Sequence, residues 1–311
     1  MENHVRFILN AVLAPGISPE LPLYSVVPGN DLTERFADSP IGFRGMGPVR
    51  VGNAAAVRRQ HDGYGSIILT AAQMFFDERL PNIGDIDLNR QLRPIGDLAA
   101  AAALHPDAGL CEFRGRLRVH THSAAMCWAA LHRLGAIAGL LGDDEDRDRW
   151  TQKAARLQTT ILERATSATD GWIAGALDTQ VCDAAVLLLP EIGLLPYNDP
   201  RFLRTMEAIE QRLTHDGLIM RYDEPDDFGR PETAFLVCSL WYVDALGAVG
   251  QRERAGKIFR RILANRDHLG LLSEDLDTST GTLWGNFPQT FSMVGIILSA
   301  MRLSRSWEEG L

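Results

Sequence analysis

Residues 233–249, TAFLVCSLWYVDALGAV, are apolar on nearly every side of a helix, and residues 251–265, QRERAGKIFRRILAN, carry one apolar stripe through Ala255, Ile258, Phe259, Ile262 and Leu263. A helix apolar all round is buried, whereas one with a single stripe covers a core from outside. The pair therefore reads as a hairpin with an inner and an outer member. The same alternation extends in both directions. Residues 121–141 (THSAAMCWAALHRLGAIAGLL) read as inner and 144–165 as outer; 179–190 (TQVCDAAVLLLP) read as inner and 200–213 as outer; the helix from about 287 to 303 reads as inner again. Upstream, helices are expected over 2–14, over 54–80 with Asn53 as N-cap, and over 87–104. About ten helices in five hairpins predict an all-α protein of barrel or toroid type. Only VRV, residues 49–51, reads as a short strand.

The connections are unequal. Those leaving inner helices are short, while those entering them, 105–120, 167–178, 214–232 and 267–286, are long. In a closed ring of hairpins the entering loops gather at one end, where sites are built on a rigid scaffold.

Composition narrows the partners. The 311 residues are 46% hydrophobic and 23% charged, with a net charge of −9. That balance suits a globular protein and argues against a nucleic-acid or anionic-membrane surface. No apolar run approaches the roughly 18 residues of a spanning helix, and the N-terminus lacks the basic region of a signal peptide. Cys111, Cys127, Cys182 and Cys238 are far apart and form no CxxC. They read as buried thiols in a reducing compartment, so a cytoplasmic protein without metal or cofactor is expected.

Two loop acids stand out. Glu274 lies in DHLGLLSEDLDTSTGTLWGNFPQTFSMVG, residues 267–295, beside Asp275 and near the apolar Leu272, Trp284 and Phe287. Glu112 lies between Cys111 and Phe113 on another entering loop. Two carboxylates from different loops at one mouth meet the requirement of glycoside hydrolysis: one protonates the leaving oxygen, the other acts as base or nucleophile. The plain alternatives are a solvated loop acid for Glu274 and a structural ion pair with Arg114 or Arg116 for Glu112.

Several stretches resemble glycoside hydrolase family 15, the glucoamylase-like family. They are RVGNAAAVRRQHDGYG (50–65), GLCEFRG (109–115), Thr121-His122-Ser123 with Met126-Cys127-Trp128, DAAVLLLP (183–190), Ala234-Phe235 with Cys238-Ser239, and the 267–295 run. The resemblance covers essentially the whole chain. It implies an (α/α)6 barrel and an inverting, exo-acting α-glucoside hydrolase, with Glu112 as general acid and Glu274 as general base. Inversion needs carboxyls about 6.5–9.5 Å apart, leaving room for water. Substrate-binding positions are expected at Arg221, Tyr222, Glu232, Asp62, Trp284 and Arg114. The implied substrate is a small oligosaccharide or α-glucan, with a trehalase of the same family, or a weak, binding-only member, as alternatives.

Ordinary structural roles compete at each position. Arg221 could pair with Asp223 or Glu224. Gln60 and Asp62 either line a pocket floor or cap and brace. Trp284 stacks on a sugar or is core, Trp172 reads as core, and His120 and His122 read as loop and cap residues. The chain also departs from the family pattern. Cys111 stands where the family has Trp, Met293 where it commonly has His, and no upstream hairpin carries an Arg-Asp pair. One catalytic domain over 1–311, N-terminally incomplete, is the expectation. An open ring of five hairpins would expose the apolar flanks of its first and last members, so a homodimer is expected.

Overall fold

The computed structural model describes residues 2–12, 21–25, 27, 31–80, 83–113, 115–226 and 229–304. Among them are nine α-helices: α1 (Glu2–Val12), α2 (Asp62–Phe76), α3 (Ile86–Ala102), α4 (Thr121–Leu140), α5 (Asp144–Ala165), α6 (Pro200–Leu213), α7 (Leu236–Ala248), α8 (Arg252–Ala264) and α9 (Thr290–Ser304). The ends of these helices follow local chemistry. Asp85 accepts from Asp87 N and Leu88 N at 3.1 and 2.9 Å, capping α3. Asp199 accepts from Arg201 N at 2.8 Å with Pro200 at the first position of α6. Asp144, Glu145 and Asp146 fill the first turn of α5, where they complement the helix dipole.

The chain divides into two compact units, Met1–Glu112 with Arg116–Val119 and Ser123–Leu157, and Phe113–Gly115 with His120–His122 and Gln158–Leu311. In the first, α2 lies beside α1 and α3. It crosses α4 so closely that a Cβ on Gly65 would stand 2.3 Å from the carbonyl oxygen of Met126. Trp150 of α5 is fully buried, with Gly96 of α3 making room for its ring and for Leu134. Arg149 lies over the Trp150 ring at 4.0 Å and Lys153 at 4.9 Å. A two-stranded antiparallel sheet joins β1 (Arg35–Ala37) to β2 (Val49–Val51), the one strand expected from the sequence.

The second unit centres on α7, buried from Leu236 to Leu240 and again at Tyr242, Val243, Ala245 and Leu246, and flanked by α8 and α9. The stripe expected for α8 narrows to Ala255 and Ile262 as its buried residues. Strands too short to show a period in sequence complete the unit. β3 (Thr214–His215) pairs with β4 (Leu218–Ile219), and β5 (Ala234–Phe235), β6 (Asp275–Asp277) and β7 (Thr282–Trp284) form a three-stranded sheet in that order.

Three expectations are corrected. Residues 179–190 are not an α-helix; they hold a 3-10 helix, Ala184–Leu188, begun by the Asp183 side chain accepting from Ala185 N at 2.8 Å. Asn53 does cap, accepting from Ala55 N at 2.9 Å, but it caps a 3-10 turn, Ala54–Val57, and α2 begins only at Asp62. The apolar helix α9 is not fully buried: its buried residues are Ser292, Gly295 and Ser299, Met293, Ile296 and Leu303 are half-buried, and Phe291, Val294, Ile297, Leu298 and Met301 are exposed. All four cysteines are free, three buried and Cys111 half-buried. Among the described residues no helix is long and apolar enough to cross a membrane.

The α2–α4 crossing is testable. Gly65→Ala drives a methyl into backbone and should cost at least about 1–3 kcal/mol. Gly139→Ala, whose Cβ would meet only the Arg147 side chain at 3.4 Å, should gain about 0.5–1 kcal/mol from helix propensity. Urea unfolding of the two variants should therefore shift the midpoint in opposite directions.

Candidate active site

One hydrogen-bonding device recurs along the chain. The first amides of a helix have no partner within it and must find one elsewhere. Here they reach the next long loop. Thr121 N, at the start of α4, donates to Gly175 O at 2.9 Å; Ala184 N, at the start of the 3-10 helix, donates to Arg221 O at 2.9 Å; Leu236 N, at the start of α7, donates to Glu274 O at 3.0 Å. His61 N, just before α2, donates to the Asp107 carboxylate at 3.0 Å. Two of the three carbonyls used belong to residues expected in the site, Arg221 and Glu274. Each entering loop is thereby pinned at a defined residue.

In the first unit the loop bearing Glu112 is fastened to the approach to α2. Ala108 N donates to Arg59 O at 2.9 Å, Gln60 Nε2 donates to Gly109 O at 2.8 Å, and Asp107 exchanges backbone bonds with Arg118. Gln60 thus takes the bracing role. Glu112 is half-buried, and its backbone is left-handed at φ 55°, uncommon for a residue that is neither Gly, Asn nor Asp. Asp62, the first residue of α2, is buried. Burial first, then the charges of Asp107 and Glu112, push its carboxyl up to about 7. One oxygen of Asp62 and one of Asp107 have no hydrogen-bond partner among the described residues. A cavity of about 290 Å³ is lined by the polar Tyr24, Gln60, Asp62, Ser66 and Thr70 and by the apolar Ile8, Leu21, Pro22 and Ile67. Such a wall offers hydroxyl and carboxyl acceptors to a neutral polyol. Arg114 lies outside the described residues.

In the second unit Glu274 sits between its backbone bond to Leu236 and one from its own N to Asn286 O at 3.0 Å. Its carboxylate accepts from Asn286 N at 3.2 Å and Asn286 Nδ2 at 3.0 Å. Gly285, at φ 78°, makes the space: a Cβ there would lie 2.9 Å from that carboxylate. The expected apolar surround is only partial, since Phe287 is exposed and Trp284 half-buried.

Asp275, the neighbour of Glu274, pairs in register with Phe235 on one side and Trp284 on the other. Its carboxylate lies 3.3 Å from the Arg221 guanidinium, which rests 4.5 Å above the Phe235 ring. Burial pushes Asp275 up to about 6; the Arg221 charge opposes this and the Glu274 charge adds to it. Arg221 thus pairs with Asp275, while Asp223, one of the two partners that the sequence alternative offered beside Glu224, pairs with Arg212. Tyr222 is buried, its hydroxyl donating to Asp226 and its ring 4.7 Å from Phe113, which stacks on His120 at 5.5 Å. Glu232 is exposed, at the rim of a cavity of about 440 Å³ shared with Tyr222, Arg212 and Arg230. Trp172 is core, covered by Arg212 at 5.0 Å. His122 is buried and held down to about 4, by desolvation first and the neighbouring His120 second.

Sequence reasoning missed the roles of two acids. Asp183 is buried, pushed up to about 7 by desolvation, and its backbone bridges to that of Tyr222. Asp275 was visible only as the second half of an acid pair. The DAAV and SEDLD strings carried both residues, but pairing with Arg221 needs strands too short to read.

These features fall into the all-α, (α/α)6-type class of glycosidase folds. A solved structure described as "Glycosidase Wild Type" superposes with a TM-score of 0.67 at 21% identity, over 84% of this chain and 72% of that one. A bacterial glucoamylase complexed with acarbose gives 0.65 at 15% identity, over 84% of this chain and 44% of that one. A sequence model described as glycosyl hydrolases family 15 matches residues 28–301, and the chain belongs to that family. It is 33% identical over 287 residues to a trehalase of Thermoplasma volcanium, covering 91% of this chain and 45% of that protein. With a trehalase of Mycolicibacterium smegmatis it shares 33% over 294 residues, 92% of this chain and 43% of that protein. The chain thus spans less than half the length of these curated relatives.

Asp62 supplies a pH signature. A carboxyl raised in the folded state binds its proton more tightly there than in the unfolded chain, so it lowers stability as pH rises from about 4 to about 7. Asp62→Asn should remove that slope. Its stability relative to the parent should rise across this window by up to about 4 kcal/mol and stay level above it. Denaturant unfolding at pH 4, 5.5 and 7.5 measures this.

Proposed function

We propose that the chain is an inverting α-glucoside hydrolase whose first substrate is α,α-trehalose. The observation that carries this reading is the similarity, over about nine-tenths of the chain, to proteins named trehalase. The glucoamylase-like reading, release of glucose from α-1,4 or α-1,6 ends, draws on neighbours whose identity of 15% or less bears on fold alone. We take residues 1–311 as one catalytic domain, in keeping with a family match that runs through both compact units.

In this proposal Glu112 is the general acid that protonates the departing glycosidic oxygen. Glu274 is the general base that takes a proton from water attacking C1 on the opposite face. The bond from C1 to water oxygen forms as the bond to the leaving oxygen breaks, the leaving sugar keeps the proton from Glu112, and C1 emerges inverted as β-glucose. The two amide donors of Asn286 would hold Glu274 in one orientation through the reaction. Asp62 would accept a sugar hydroxyl. Arg221, Tyr222, Glu232, Trp284 and Arg114 remain the proposed sugar-contacting set, with Arg221 committed in part to Asp275 and Tyr222 to Asp226. The same reading expects no metal or cofactor.

A second reading keeps sugar binding without turnover, in keeping with Cys111 and Met293 standing where the family has Trp and commonly His. Glucose release from trehalose, maltose and isomaltose, with the anomer followed by NMR, separates the two. Glu112→Gln and Glu274→Gln should each lower kcat by at least about 100-fold, with the fold retained. Full activity in either variant overturns the assignment, and trehalose binding without release supports the second reading.

A further inference from the structure

Arg221 is held at three points, all within the second unit. Its carbonyl accepts from Ala184 N at 2.9 Å, which fixes the backbone. Its guanidinium lies 4.5 Å above the Phe235 ring, which fixes the plane of the group. A planar cation on a ring face can still turn within that plane, since attraction to the ring does not set its direction. Asp275 removes that freedom. It is the register partner of Phe235 across β5 and β6, so ring and carboxylate stand side by side on one face of the sheet. Arg221 Nη2 lies 3.4 and 3.3 Å from the two carboxylate oxygens. Charge-assisted bonds are ordinarily about 2.7–2.9 Å, so Asp275 aims the guanidinium without saturating it. The two side chains are 24% and 13% exposed, which sets the pair apart from surface ion pairs of little consequence.

We propose that Asp275 is a positioning residue of the sugar site: its carboxylate sets the direction in which Arg221 meets a sugar hydroxyl, one residue away from Glu274. This role presupposes that Arg221 contacts sugar, as in the hydrolase reading. It also makes the contact sensitive to pH. The charged groups acting on Asp275 are Arg221 and Glu274, and Asp183, at the start of the 3-10 helix, acts on the same guanidinium. The Cys238 thiol of α7 is near enough to feel both Arg221 and Asp275, and burial keeps it protonated. Thr233 adds a hydrogen bond to the carboxylate, while Phe235 and Trp284, which flank Asp275 across the sheet, carry no proton to lose. Burial pushes Asp275 up to about 6. It is therefore ionised and holds Arg221 at pH 7.5, and it is neutral by pH 4.5.

A double-mutant cycle on the full chain tests this. With trehalose at pH 7.5, Asp275→Asn should lower kcat/KM at least about 10-fold, the order expected for a hydrogen bond to a charged group. Arg221→Lys keeps the charge but loses the planar fork, and it should lower kcat/KM at least as far. The double variant should be no worse than Arg221→Lys alone. At pH 4.5, where Asp275 of the parent is itself neutral, Asp275→Asn and the parent should agree within about twofold. Additive losses, or a loss equal at both pH values, mark a merely structural aspartate and overturn the proposal. In the unaltered chain the Arg221 Nε resonance should move with the titration of the Asp275 carboxyl near pH 6. This needs no variant to fold, and an Arg221 resonance indifferent to that titration also overturns the proposal. Should the parent release no glucose, the hydrolase reading falls by itself, and the same cycle is read from trehalose dissociation constants by calorimetry. Absence of binding as well overturns both.

Discussion

Buried backbone cannot be left unpaired, and in this chain that rule is met by reaching forward to the next loop. Thr121 N, Ala184 N and Leu236 N are each the leading amide of a buried segment, and each finds a carbonyl 37 to 54 residues ahead. A buried amide without a partner would cost about 1–3 kcal/mol, so the long loops cannot drift without losing several such bonds. The loops are therefore rigid at the residue where each bond lands. Two of those landing points are Arg221 and Glu274. A side chain on a pinned backbone needs little further reorganisation to serve a binding site.

Much of this was legible in the sequence because it depends on long-period signals. Helices α4 to α8 announce themselves through apolar spacing over 13 or more residues, and their ends through Asp, Pro and Gly. What escaped is short. Residues 179–190 look helical by apolarity, yet the Asp183 side chain caps its own neighbour and Pro190 follows within a few residues, leaving room only for a 3-10 helix. The β5–β6–β7 sheet has strands of two or three residues, below any readable alternation, and it alone brings Asp275 to Phe235 and within reach of Arg221. The individual acids were visible as letters; their partners were set by these short pairings.

The failure at α9 is of another kind. Periodicity reports how much of a helix is apolar, not which face meets its own chain. In α7 the two agree, since large apolar residues are buried on most sides. In α9 the close approach of Gly295 to Leu240 claims the small face for the interior and leaves the large one outside. Close packing of the α9 backbone against the Leu240 side chain was preferred there over burial of the larger side chains, an outcome that a one-dimensional pattern cannot express.

Glu112 shows how local cost and placement are linked. A non-glycine residue at φ 55° carries a penalty of about 1–2 kcal/mol, and unlike Asp178 and Asp216, which share the left-handed region, Glu has no short polar side chain to offset it. A glycine would have been the cheaper residue at that turn. The surrounding bonds sustain the conformation: Glu112 N is tied to Gly109 O, and Gly109 O is held by Gln60. Keeping a glutamate where glycine is favoured makes sense if the carboxyl itself is needed. The left-handed backbone sets the direction of its Cβ, differently from any ordinary helical or extended residue at the same point. Strain of this sort persists where the neighbourhood over-determines it, and the three bonds between this loop and the approach to α2 provide that.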